Sequence, residues 1–257
     1  MSKQRKKRTG KAGRRKGSGC LSRLILFLLI VFALVAASTI FFKISRVNVY
    51  GNERYSSEQI RATTGIGIGD NLLFLNKIAA TRGVLSELPY VNDIRISRQL
   101  PDTLLIEIVE AEEFAHIRSG VDIWYIDDTG KLLRKNGEST KGLIEVTGVE
   151  LDKPEEGAVA NFGEQGGGKL DILENTFETL VGEGIEDRVQ QIDLSEVYGV
   201  KMSFDDRFLV KLGMPESLEY KLQYLLKAIG ELETNAKGTM DLSELMESGI
   251  ARFIPDS

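Results

Sequence analysis

The rhythm of apolar and polar positions changes twice along this chain. Residues 24–42, LILFLLIVFALVAASTIFF, pass without a charge. A helix over that run rises ~1.5 Å per residue and covers ~28 Å, close to the ~30 Å hydrocarbon thickness of a bilayer. Backbone polar groups in lipid need internal partners, so a lone run of this kind is predicted to be a membrane-spanning helix. Residues 43–110 then mix short alternations with helical spacing, and beyond 113 alternation dominates.

In the middle stretch, Val47 and Val49 share one face of a strand over 43–50, which ends at the turn Gly51-Asn52. Ser56-Ser57-Glu58-Gln59 has the Ser-x-x-Gln spacing of a capping box and predicts a short helix through about Thr63. The run GIGIGD, residues 65–70, interrupts it. A second helix is expected over 76–88, with Ile78, Val84, Leu85 and Leu88 on its buried face and Pro89 as its stop. Ile94 and Ile96 mark a strand over 91–99. Leu104, Ile106 and Ile108 alternate along another over 103–110, joined to it by the turn Leu100-Pro101-Asp102. The order strand–helix–helix–strand–strand predicts a small three-stranded sheet with two helices on one side.

The second half is richer in strands. Residues 121–126 and 131–134 flank Asp127-Asp128-Thr129-Gly130, a hairpin signal. A strand is expected over 143–146, and NFGEQGGGK, 161–169, reads as a loop because three consecutive glycines are costly to order. Leu170, Leu173, Phe177, Leu180 and Val181 recur at helical spacing. Strands follow over 189–194, at Val200, Met202 and Phe204, and at Phe208, Val210 and Leu212, the last two joined by an Asp205-Asp206 turn. Pro215 marks a helix start, and Leu218, Leu222, Leu225, Ile229 and Leu232 form its apolar stripe. Short strands over 238–242 and 249–254 close the sequence.

Charge gives the apolar run a direction. Residues 1–23 hold ten Lys or Arg and no acid, whereas the remainder carries 23 basic and 38 acidic residues. Basic flanks stay in the cytoplasm, which places the C-terminal body outside. The 1–19 segment, almost all Lys, Arg, Gly and Ser, is expected to be disordered and to lie against the anionic inner leaflet. A cleaved secretory leader, processed near Ala36, Ala37 and Ser38, would have an apolar core of about 7–15 residues and a short basic head. Here both are longer, and an uncleaved anchor is expected. The single cysteine, Cys20, sits at the cytoplasmic edge of the run, so no intrachain disulfide is available to the outer part. Acylation of that thiol is a weaker reading than an apolar residue at the interface.

No stretch carries a catalytic constellation. GIGIGD lacks both the G-x-G-x-x-G spacing and the strand-to-helix context of a nucleotide cradle. His116, the one histidine, has neither a G-x-S-x-G elbow nor an extracytoplasmic thiol to serve. Asp127, Asp128 and Gly130 resemble the opening of a calcium loop without its later ligands. The acidic pairs Glu112-Glu113 and Asp205-Asp206 lie at turns, where solvated charge explains them, and Trp124 on an alternating strand reads as core more than as a partner anchor. No catalytic residue, cofactor, metal, nucleic acid or small-molecule substrate is expected.

ISRVNVYGNERYSSEQI, GIGDNLLFLN and LPYVNDIRISRQLPDTLLIEIVEAE resemble the POTRA domain of the FtsQ/DivIB family of bacterial cell-division proteins. WYIDDTGKLL, LIEVTGV and GTMDLSELMESGIARFIP resemble its second domain. The resemblance spans most of residues 24–255; the glycine-rich 163–168 departs from it. It implies an α+β chain with a basic tail at 1–23, a transmembrane helix at 24–42, a βααββ POTRA domain at 44–112, and a β-rich domain with two helices at 113–255. It implies a non-enzymatic, single-pass scaffold at the division septum, joining FtsL and FtsB/DivIC-type partners to the septal cell-wall synthases. It further implies that the last strand, through Ser248, Gly249, Ile250, Ala251, Arg252, Phe253 and Ile254, adds a partner strand to an open sheet edge. An envelope enzyme with a POTRA-like recruiting module is the alternative; a β-barrel assembly factor would need many more strands than the chain has left.

The charge split yields a direct test of topology. Protease added to intact, wall-stripped cells is expected to remove the body and spare the basic tail, detected with a tag at each end. A mature N-terminus near Ser38 would overturn the anchor.

Overall fold

The structure, a computed structural model, describes residues 18–196 and 199–256. The basic tail up to residue 17, on which disorder was expected, lies outside them. The apolar run forms helix α1, Ser18–Phe41, which starts six residues before the run itself. Within it, Leu21–Phe41 is, among the described residues, the one helix long and apolar enough to cross a membrane.

The next unit follows the expected order: β1 (Arg46–Tyr50), α2 (Ser57–Thr64), α3 (Lys77–Glu87), β2 (Val91–Gln99) and β3 (Thr103–Glu110). The capping box forms as read: Ser56 Oγ accepts the Gln59 N–H, and Gln59 Oε1 accepts the Ser56 N–H. Gly65 ends α2 in the left-handed region at φ 65°. The sheet runs β1-β3-β2, with β3 parallel to β1 and antiparallel to β2. Ile94, Ile96, Leu104, Ile106 and Ile108 meet Ile60, Ala80 and Val84 of the helices in one core. Ile78, expected on the buried face, is instead exposed. Ala80 and Val84, four residues apart, fix the buried stripe of α3, and Ile78 falls outside it.

The larger unit comprises β4 (Ala115–Ser119), β5 (Asp122–Ile126), β6 (Leu132–Lys135), β7 (Ile144–Thr147), α4 (Lys169–Glu183), β8 (Val189–Asp193), β9 (Val200–Phe204), β10 (Phe208–Gly213), α5 (Leu218–Glu231), β11 (Gly238–Asp241), α6 (Leu245–Ser248) and β12 (Arg252–Pro255). The strands form one sheet in the order β12-β11-β10-β9-β8-β7-β4-β5-β6. One cross-strand row, Ile117-Val146-Ile192-Met202-Val210-Met240, faces Leu173, Phe177, Leu180, Leu222 and Leu225 of α4 and α5 and forms the core. The opposite face carries a charged row of both signs, Asp193, Lys201, Lys211, Asp241 and Arg252, with the two lysines side by side.

Three sequence expectations are corrected here, and two features were not foreseen. Strand β4 was not foreseen, because Ala-His-Ile-Arg-Ser offers one strong β-former. Val181 is exposed on α4. Helix α5 begins at Leu218, not at Pro215, since Ser217 has φ 54° and breaks the helical path. Lys221 occupies the buried face of that helix, its Nζ donating to the carbonyls of Leu212 (2.8 Å) and Met214 (2.7 Å) and so holding the β10–α5 connection. Residues 161–168 are a loop with one 3-10 turn, Glu164–Gly166, and Lys169, expected in it, opens α4.

The two cores are joined by a polar and aromatic contact. Tyr90 Oη donates to Glu113 Oε1, and Arg134 meets the same carboxylate with Nε at 2.7 Å and Nη2 at 3.1 Å. Arg54 lies 3.7 Å from the centre of the Tyr90 ring, Arg134 stacks on Tyr125, and Lys131 Nζ donates to the Val91 carbonyl. Burial pushes the Glu113 carboxyl up, but the hydrogen bonds from Arg134 and Tyr90 outweigh it and hold it below its ordinary value. A carboxyl depressed on folding contributes stability fully above its unfolded value of about 4.3 and loses it as pH falls through the lower folded value. Glu113→Gln is therefore expected to cost about 1–2 kcal/mol at neutral pH, because the partly exposed pair is screened. It should also flatten the acid limb of stability below about pH 4. Calorimetry of the full chain in detergent across pH 3–7 (about four units, bracketing the ordinary carboxylate value) checks both.

Candidate interaction site at the free sheet edge

The residues expected to receive a partner do not form one strand. Ser248 ends the single-turn helix α6, and Gly249 caps it at φ 70°, a left-handed conformation that suits glycine. Ile250 and Ala251 connect, and the strand begins at Arg252 and runs to Pro255. The helical turn wins over extension because Leu245 is buried against the sheet core and anchors it. The Ser248 N–H accordingly donates to the Glu244 carbonyl and the Gly249 N–H to that of Leu245.

Strand β12 pairs with β11 on one side only and is the end of the sheet. The direction of its backbone groups follows from three hydrogen bonds. The Gly238 and Leu242 N–H groups donate to Arg207 and Lys211, so Gly238, Met240 and Leu242 turn their backbone toward β10. The Asp256 N–H donates to the Lys237 carbonyl at 3.0 Å, on the other side of β11. Because the strand period is two, the pairs Thr239–Ile254 and Asp241–Arg252 also exchange hydrogen bonds. Phe253 and Pro255 then point their backbone groups outward, with Ala251 continuing that period. Proline has no N–H, so within the strand Phe253 supplies the outward donor. Pro255, without an N–H, and the exposed Arg252 side chain both blunt this edge.

Side chains divide by face. Phe253 turns into the core, its ring centre 6.2 Å from that of Phe208. Ile254 is 55 % exposed on the opposite face, in a row with Thr239 and the exposed Leu209. Met246 and Ile250, in the turn and connection before the strand, are exposed as well. Arg252 pairs with Glu244 at 3.3 Å, both largely in solvent. Burial raises Asp241, but the Ser243 hydroxyl and N–H, with Lys211 and Arg252 nearby, bring its carboxyl below the ordinary range and keep it charged. The arrangement offers a short run of backbone groups, an apolar strip and a charged border, which suits an added strand. The other end of the sheet differs. There the Leu132 N–H donates to Ala158 and the Leu132 carbonyl accepts from Gly157, so residues 157–160 cover β6.

The remaining candidates resolve into structural roles. Asp127 is buried, and its Oδ1 accepts the N–H groups of Thr129 and Lys131 and the Thr129 hydroxyl, closing the β5–β6 turn. Asp205 and Asp206, at φ 57° and 54°, form the β9–β10 turn, and Asp205 is bound by Arg188 at 2.9 and 2.7 Å. Trp124 is core. His116 is buried on β4 between Tyr125 and Glu145, and burial holds its imidazole below the ordinary value. Gly65 of GIGIGD caps α2, and the stretch is the connection to α3. Among the described residues no group of three or more His, Cys, Asp or Glu is placed to hold a metal ion.

Comparison with known proteins accords with this architecture. Residues 42–111 match the model of the POTRA domain, FtsQ-type, and residues 115–243 match that of the cell division protein FtsQ/DivIB, C-terminal. The cell division protein DivIB of Clostridium botulinum (strain Loch Maree / Type A3) is 27% identical over 224 residues, covering 86% of each chain. The cell division protein FtsQ of Novosphingobium aromaticivorans is 36% identical over 118 residues, 46% of this chain and 37% of that one. FtsQ of Corynebacterium glutamicum is 28% identical over 127 residues, 49% of this chain and 56% of its own. With its helix, its βααββ unit and its long mixed sheet in that order, the chain belongs to the FtsQ/DivIB family of cell-division proteins.

Proposed function

We propose that the chain is a membrane-anchored, non-catalytic scaffold of the division complex, which binds a partner by accepting its strand along β12. In this reading the basic residues 1–23 lie in the cytoplasm and α1 spans the cell membrane. The POTRA unit at 44–112 and the β-rich unit at 113–255 lie outside, at the septum. The partners are single-pass division proteins of the FtsL and FtsB/DivIC types. The carrying observation is the uncovered edge of β12, with outward backbone groups at Ala251, Phe253 and Pro255 and the exposed Ile254 beside them. The charge asymmetry about α1 supports the orientation. The docking segment remains Ser248 to Ile254, in two parts: Arg252, Phe253 and Ile254 supply the ladder, while Ser248, Gly249, Ile250 and Ala251 form the approach to it.

Photo-crosslinkers at Ala251 and Ile254 in growing cells are expected to trap a single-pass division protein. Ala251→Pro should weaken capture by about tenfold or more, the equivalent of one or two lost hydrogen bonds with their apolar surroundings. Ile254→Asp should do the same through its side chain. Ile254→Asp should leave the melting temperature within about 2 °C, since that side chain is exposed. Ala251→Pro, at a position whose methyl packs on the core, should keep the chain folded with a modest loss. Arg252→Pro, whose N–H faces Asp241, should lower that temperature. Unchanged capture by Ala251→Pro and Ile254→Asp in a folded chain would move the interface elsewhere.

A further inference from the structure

Exposed apolar side chains gather where α1 meets the small sheet. The helix ends without a spacer: Phe42 packs on the POTRA core and Ile44 is buried in it. Four residues then receive the domain's loops. The Leu72 N–H donates to the Phe42 carbonyl (2.7 Å), and the Ile44 N–H to Asp70 (2.8 Å). The Gly69 N–H donates to Ile44 (2.8 Å), and the Ser45 N–H to Asp102 (2.8 Å). Asn71 Nδ2 reaches back to the Ser38 carbonyl, inside the last turn of α1, at 3.0 Å.

These bonds fix the depth of three loop positions. Ile68 adjoins Gly69, Phe74 lies two residues beyond Leu72, and Leu100 lies two residues before Asp102. An extended chain covers at most ~3.5 Å per residue, so each lies within about 10 Å of the residue its loop bonds, Ile44, Phe42 or Ser45, all within four residues of the helix end. They are 55 %, 71 % and 59 % exposed respectively, and Ile78 on the first turn of α3 is 74 % exposed. Leu21–Phe41 covers ~31 Å as a helix, about one hydrocarbon thickness, so with α1 in a bilayer Phe41 falls at the boundary and residues 42–45, with the loops they bond, follow just beyond it. Apolar residues presented together at that depth, bordered by the exposed Lys43, Arg46 and Arg98, match an interfacial surface.

We infer that this end of the POTRA domain rests on the bilayer itself, with Ile68, Phe74 and Leu100 inserted among the lipid headgroups. The occupant is a lipid surface, because the patch continues the lipid-facing surface of α1 through Ile40 and Phe41, both exposed. The inference needs α1 in the membrane and needs nothing of the β12 interface. Its effect is to hold the domain upright on its anchor, so that the chain projects away from the membrane in a fixed direction.

The test uses the full chain with Cys20→Ser, reconstituted in vesicles of phosphatidylethanolamine and phosphatidylglycerol. Single cysteines replace Ile30, Ile68, Phe74, Leu100 or Val109 and carry a nitroxide. Val109, near the far end of β3 and exposed, is the water control. Oxygen accessibility is expected to exceed that of a nickel chelate several-fold at positions 30, 68, 74 and 100, with the reverse at 109. Position 30 in lipid with 68, 74 and 100 reading like 109 overturns the inference while leaving the anchor intact. Labels at 68, 74 and 100 hidden from both reagents also overturn it, since a second copy would then cover the patch. Position 30 in water overturns the anchor and the inference together.

Discussion

The fold hangs on how α1 ends. The last turn of any helix carries carbonyls with no partner inside it. Here the folded domain supplies donors at that end: Asn71 adds a bond to the Ser38 carbonyl, which also accepts the Phe42 N–H, and the Leu72 N–H bonds the carbonyl of Phe42, the residue after the helix. The Ser38 and Thr39 hydroxyls bond back to the carbonyls of Val35 and Ala36, one turn earlier in the helix. A helix end satisfied by loop residues cannot swing freely from them, so the anchor and the first domain act as one piece. The POTRA sheet therefore takes its direction from α1.

That stiffness passes onward through side chains instead of backbone. Between β3 and β4 the chain is short, and Tyr90, Glu113 and Arg134 close the gap with charge-assisted hydrogen bonds. Arg54 stacks on the outer member of that group. A contact of this type is directional, unlike an apolar interface, and it fixes one angle between the two sheets. Charge pairs at a boundary therefore do here what burial does within each core.

How much of this was readable in advance depended on the range of the interaction. The Ser56–Gln59 capping box is a three-residue signal and formed as read. Alternation along residues 91–110 gave the strands and their buried face because Ile and Leu repeat at period two. Ile78 and Val181 misled because spacing alone does not say where a helical stripe stops. The start of β12 was misplaced because the αL turn at Gly249 is set by Leu245 docking into the core, a tertiary event. The Tyr90–Glu113–Arg134 group left no trace in the sequence, since its members are 21 or more residues apart. The free edge was anticipated from the family's pattern; which of its amides face outward needed the ladder.

Pro255 has a consequence for selectivity between like and unlike strands. Two copies of β12 brought together antiparallel would centre on Phe253 and set each Ala251 opposite the other's Pro255. Each such pairing lacks the amide that proline does not have, so the symmetric arrangement forfeits that bond twice. A foreign strand lying along the same edge forfeits it once, and its own amide can still donate to the Pro255 carbonyl. One imino ring thus tilts the edge toward hetero-pairing and away from growth into a continuous sheet, a discrimination written in hydrogen-bond count and not in side-chain shape.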